Sequence, residues 1–193
     1  MRLRFSFLLL MIATAAWVTA AAQAPSYKNV GRTPTAQEIQ AMDIAVSTDG
    51  KELPPGSGNA KAGAAIFAQK CAACHGENQE GSAQAPALVG GKGTLTSLHP
   101  KMTAGSYWPF ATTIFDYIRR AMPRFQEGSL KVDEVYSLTA FILYRNEIIK
   151  EDDAIDAATL PKIKMPNRDG FIPQNLDEIH DWKKRGCKLG HCP

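Results

Sequence analysis

Hydrophobic positions recur at helical spacing in three stretches of the chain. Ala60, Ala64, Ile66, Phe67 and Cys71 share one face at three- and four-residue steps, which predicts a helix over 60–74. Gly63 costs such a helix about 1 kcal/mol against alanine, so it marks a close approach by another helix. Phe110, Ile114, Phe115 and Ile118 give the apolar face of a second helix, 109–121. Asp116, Arg119 and Arg120 fall on its polar face. Pro109 suits its first turn and Pro123 ends it. Val132, Val135, Leu138, Thr139, Ile142 and Leu143 form the stripe of a third helix, 131–147. Asp133 and Glu134 sit favourably in its first turn. Residues 76–104 show no period and are rich in Gly, Ala, Ser and Pro. They read as one long loop containing Pro86-Ala87-Leu88-Val89-Gly90.

The flanks are patterned differently. Residues 1–22 read as a signal peptide: Arg2 and Arg4, an apolar run from Phe5 to Val18, then Ala20-Ala21-Ala22. An uncleaved anchor is the alternative, for which the run is short. Residues 23–59 form an N-terminal arm. In it Thr35-Ala36-Gln37-Glu38 is a capping box, predicting a short helix over 36–43 with Ile39 and Met42 or Ile44 inward. Pro54-Pro55-Gly56-Ser57-Gly58 then breaks regular structure. Residues 148–193 form a C-terminal arm with too few apolar positions for a core of its own, so it should wrap the 60–147 domain.

At the end of the first helix stands Cys71-Ala72-Ala73-Cys74-His75. C-x-x-C-H is the attachment pattern of a c-type haem. Two thiols add across two vinyl groups, and the histidine becomes an axial iron ligand. Two intervening residues keep both sulfurs on one side of a helical turn. The competing readings are a dithiol redox pair, or a zinc site completed by Cys187 and Cys192. A haem iron needs a sixth ligand or stays open for chemistry, and Met42, Met102, His99, Met165 and Met122 are all candidates.

Composition adds limits. The 193 residues are 45% hydrophobic and 21% charged, ordinary for a globular protein, with a formal charge of +3. Loss of Arg2 and Arg4 with the leader leaves the remainder close to neutral, so no nucleic-acid partner is indicated. If haem takes the first cysteine pair, Cys187 and Cys192 are free to form a disulfide in an oxidising compartment. No acid–base constellation, P-loop or dinucleotide fingerprint occurs.

The order helix, C-x-x-C-H, loop with Pro-x-Leu-x-Gly, helix, Met-Pro, helix resembles class I cytochrome c over residues 60–147. The resemblance implies an all-α fold, three core helices around one covalent haem c, with extended arms. It implies His75 as the proximal iron ligand and Met122 as the distal one. It implies that the Pro86 carbonyl accepts a hydrogen bond from His75 Nδ1–H, and that Gly63 and Phe67 cross the third helix near Ala140, Phe141 and Tyr144. A closer resemblance covers roughly 30–171. Pro54 to Gly58, Tyr107 to Pro123 and Lys164 to Phe171 look like the cytochrome subunits of sulfite and sulfur dehydrogenases, the SoxD haem domain among them. Lys131 departs from that pattern, where a threonine usually caps the third helix.

The expected function is single-electron transfer by a periplasmic monohaem cytochrome, not an enzyme by itself. Its partner would be a molybdenum sulfite or sulfur dehydrogenase, with a downstream cytochrome or oxidase and no stable membrane span. The alternatives are a generic shuttle to a terminal oxidase, and a haem sensor or peroxidase-like protein with a labile methionine. Arg119, Arg120 and Arg124 flank Met122 and are either a docking rim or a solvated helix face.

Overall fold

The computed structural model describes residues 30–171. The leader and Cys187/Cys192 lie outside these. The chain divides between Asp43 and Ile44 into two compact units.

The first unit contains helix α1 (Ala36–Met42). Its capping box forms as expected: Glu38 N–H donates to Thr35 Oγ1 at 3.2 Å and Thr35 N–H to Glu38 Oε2 at 2.8 Å. Of the residues expected inward, Ile39 and Met42 are 53% and 85% exposed, while Ile44, the alternative to Met42, is half-buried. Among the described residues of this unit, 30–43, no second element lies beside these two helical turns.

In the second unit, α2 (Ala60–Lys70), α4 (Ala111–Ala121) and α5 (Val132–Arg145) carry the core. A single turn, α3 (Ala72–His75), follows α2. Strand β1 (Ser57–Gly58) pairs antiparallel with β2 (Ile155–Asp156), and a 3₁₀ turn spans Leu160–Lys162. The core joins Phe67 of α2, Ile114 and Phe115 of α4, and Val135, Tyr136, Leu138 and Leu143 of α5. Ile155, Leu160 and Met165 from the C-terminal segment belong to the same cluster.

Asn59 begins α2, its Oδ1 accepting the Ala62 N–H at 2.9 Å. The single helix expected over 60–74 is broken at Cys71, whose φ of −125° leaves the helical region. Gly63 does mark a helix crossing. A side chain there would overlap the Ser137 carbonyl and come within 2.8 Å of Phe141 Cβ. Beside it the Phe67 and Phe141 rings stack with centroids 5.5 Å apart.

Helix α4 starts two residues later than expected. Phe110 is its cap and pairs with Lys164 in an isolated bridge, so Pro109 lies before the helix. Asp116 is not on a solvated face: it is 8% exposed, accepts the Val46 N–H at 2.8 Å and pairs with Arg120. Arg119 donates to the Ile44 carbonyl at 3.1 Å and Thr112 to the Thr48 carbonyl at 3.1 Å. The polar flank of α4 thus straps down residues 44–48, and Val46 and Leu53 enter the core.

Lys131 begins α5 without a side-chain acceptor, as its chemistry requires. Half of a capping box survives, with Lys131 N–H donating to Glu134 Oε2 at 2.8 Å. The helix ends in a Schellman turn. Ile148 N–H returns to the Leu143 carbonyl at 3.0 Å and Glu147 N–H to the Tyr144 carbonyl at 2.8 Å. Glu147 occupies the left-handed position, φ +59°, where glycine is usual.

Candidate functional site

The break at Cys71 aims the motif. Cys71 N–H still closes the last turn of α2 on the Phe67 carbonyl, and its own carbonyl accepts from Cys74 and His75 at 3.1 and 3.0 Å. Gly76, at φ +81°, then turns the chain away from α3. Neither motif cysteine is in a disulfide. Cys71 is half-buried, and burial pushes its thiol up to about 11. Cys74 is exposed, with its sulfur 3.5 Å from Gln84 Oε1.

His75 Nδ1 lies 3.0 Å from the Pro86 carbonyl oxygen. A carbonyl only accepts, so Nδ1 carries the proton and Nε2 keeps its lone pair for a metal. The loop returning to Pro86 is fastened to the motif. Gly81 N–H donates to the His75 carbonyl at 2.7 Å and Leu88 N–H to the Gln79 carbonyl at 2.9 Å. Gln79 itself is fully buried, with both side-chain amide atoms unpartnered.

Met122 forms the C-cap of α4, extended at φ −127°, with its N–H on the Ile118 carbonyl at 3.1 Å. It is half-buried against the core cluster. Of the rival ligands, Met165 is 1% exposed and a core residue, Met102 is 58% and Met42 85% exposed, and His99 is exposed. Beyond Met122 the loop presents Phe125, 82% exposed at φ +71°, with the Arg124 guanidinium 4.8 Å from its ring centroid.

The long loop ties to the end of α5. Arg145 donates to the Asn78 carbonyl at 3.4 Å, Asn146 reaches Leu88 and Gly90, and Glu147 pairs with Lys92 at 3.3 Å. The roles of Asn146, and of Asp116 in the strap, escaped the sequence reading. Asparagine within a turn of the last apolar position of a helix, here after Arg145, is a cap signal that could have pointed to the first. Among the described residues no group of three His, Cys, Asp or Glu side chains converges to hold a bare ion, and no helix is long and apolar enough to cross a membrane.

Residues 58–142 match the family model described as cytochrome c oxidase, cbb3-type, subunit III. A chain in the crystal structure of the sulfane dehydrogenase SoxCD from Paracoccus pantotrophus is 39% identical, with a TM-score of 0.73. The likeness covers 86% of this chain and 82% of that one. The chain is a class I c-type cytochrome. Cytochrome cL from Hyphomicrobium denitrificans also aligns, at 19% identity over 90% of this chain and 89% of that one, with a TM-score of 0.31. No curated protein sequence matches.

The cytochrome has the expected all-α fold and carries haem c covalently, the cofactor of its family. Its donor set fits that group. Two cysteines outside any disulfide flank one turn, and the neighbouring imidazole has Nδ1 occupied and Nε2 available. An electron-transfer role follows from the family. Its cytochrome domain is an electron carrier.

Proposed function

We propose that this cytochrome accepts single electrons from a molybdenum dehydrogenase that oxidises sulfite or protein-bound sulfur in the periplasm. The observation that carries the reading is the 39% identity to a SoxCD chain over 82% of that chain's length. Cys71 and Cys74 would hold the haem through thioether bonds, and His75 Nε2 and the Met122 sulfur would bind its iron. The haem supplies a site that takes up and releases one electron. Pro86 orients the His75 ring and makes its Nε2 a stronger donor. A thioether paired with an imidazole on the iron would favour the reduced state, which suits an acceptor.

Two kinds of evidence support the ligand set. The His75–Pro86 bond fixes the tautomer that a proximal ligand requires. Met122 is the candidate that stands half-buried at a helix end, while Met165 is spent on the core. Export rests on the leader, which lies outside the described residues.

The test mixes the cytochrome with the candidate molybdenum subunit and follows haem reduction on adding sulfite or a sulfane donor. Reduction and co-purification are expected. Failure with every sulfur-compound dehydrogenase would remove the sulfur reading. The match to an oxidase subunit over residues 58–142 favours the second reading, a carrier delivering electrons to a terminal oxidase. Rapid oxidation by such an oxidase, without reduction by the dehydrogenase, would select it.

A further inference from the structure

We propose that Asn146 is a positioning residue, whose side-chain amide holds the Leu88–Gly90 backbone to the end of α5 and thereby fixes the Pro86 carbonyl against His75 Nδ1–H. The inference rests on the haem reading above and adds to it a control on the iron ligand that lies outside the motif.

Three of the four hydrogen-bonding positions of the Asn146 amide are used. Oδ1 accepts the Gly90 N–H at 3.1 Å. Nδ2 donates to the Leu88 carbonyl at 3.1 Å and to the Ile142 carbonyl at 2.8 Å. The partners dictate which way the amide faces, since a backbone N–H only donates and a carbonyl only accepts. One side chain thus binds both sides of the Leu88–Gly90 segment to the helix.

Two further features serve this contact. The Schellman turn after Asn146 sets the helix end in one geometry, even at the cost of a glutamate at φ +59°. Gly105 lies against the amide. A side-chain carbon there would be 2.6 Å from Asn146 Cβ and would overlap the amide group.

Pro86 needs such help. It has no N–H with which to anchor itself. Its carbonyl stays in line with His75 only if its neighbours are held. The Leu88 N–H bond to Gln79 secures the segment toward the motif, and Asn146 secures it toward α5. Loosening the second anchor lengthens the Nδ1–H bond. The imidazole then donates less strongly through Nε2, the oxidised iron is less favoured, and the potential rises.

The experiment compares haem-loaded wild type with Asn146→Asp, Gly105→Ala and Asp116→Asn. Asn146→Asp keeps the size but sets acceptors against the Leu88 and Ile142 carbonyls. The readouts are the reduction potential and NMR exchange rates of the His75 Nδ1 proton and the Gly90 amide. Asn146→Asp and Gly105→Ala should both raise the potential and speed exchange of the Nδ1 proton about tenfold, the scale of one lost hydrogen bond. Asp116→Asn should lower thermal stability and move neither readout. Wild-type potential and exchange in haem-loaded Asn146→Asp would overturn the inference. So would an equal shift in Asp116→Asn, which would mean general loosening. Protein without covalent haem would instead overturn the reading on which the inference rests.

Discussion

Gly63 of α2 rests directly on the Ser137 carbonyl of α5, with no room for a methyl group between them. Substitution by alanine must part the two helices or distort the turn at Ser137. Overpacking of this kind costs about 1–3 kcal/mol. Gly63→Ala should lower the denaturant midpoint without changing the slope, as read by far-ultraviolet circular dichroism. An unchanged midpoint would show that the crossing yields freely.

Acid should release the 44–48 strap. Burial opposes ionisation of Asp116, but the Arg120 guanidinium and the Val46 N–H outweigh it and hold the carboxyl below its ordinary value. A group whose folded value is depressed stabilises above its unfolded value and loses that contribution as pH falls through the folded one. Stability should therefore fall from about pH 4 downward. Asp116→Asn should remove that part of the acid dependence and cost roughly 1–3 kcal/mol at neutral pH, the range for a charged hydrogen bond. Melting temperatures of both proteins from pH 7 to 3 test it.

Two methionines should separate ligation from packing. Met122→Ala should abolish the sulfur-to-iron charge-transfer band and lower the potential. Met165→Ala should keep the band and lose about 2–5 kcal/mol of stability, as a buried methionine does on truncation. A lost band in Met165→Ala would move the ligand assignment to the C-terminal segment.

The helical stripes were legible because a period of 3.6 survives any tertiary context, and Ile114, Phe115, Val135 and Leu138 lie where that period puts them. Asp116 was misread because its partner Val46 stands 70 residues away, and a carboxylate on a polar face carries no sign of a distant amide. The break at Cys71 was hidden because the apolar face runs on through it. Ile39 and Met42 misled in the opposite way: their spacing promised a buried face, and both side chains are exposed. C-x-x-C-H could be read at once because its chemistry is local. The Asn146 amide could be read as a cap, but its targets at Leu88 and Gly90 belong to a loop without period.

Glu147→Gly should stabilise the protein by up to about 1 kcal/mol, because glycine meets φ +59° without a Cβ penalty. The ion pair it gives up, to Lys92, is exposed on both sides and is worth little. The denaturant midpoint should rise with the haem spectrum unchanged.

The arginines beside Met122 are not equivalent. Arg119 and Arg120 are engaged within the fold, so charge removal there damages the strap. Arg124 is exposed beside Phe125 and is the one to test for steering. If the cytochrome docks by diffusion, Arg124→Gln should slow association at low salt. The difference should fade as screening shortens to about 10 Å near 0.1 M. A rate flat in salt would indicate a fixed subunit.

The pairing of Ser57–Gly58 with Ile155–Asp156, and the burial of Leu160 and Met165, impose an order of events on a chain made from its N-terminus. Cys71 and Cys74 emerge long before the residues that complete the core around α2. Until the core forms around α2, the burial that raises the Cys71 thiol is absent, and Cys71 is as open to solvent as Cys74 is in the finished fold. Bond formation at Cys71 thus meets least hindrance before the helices pack, whereas Cys74 stays accessible in the folded protein as well.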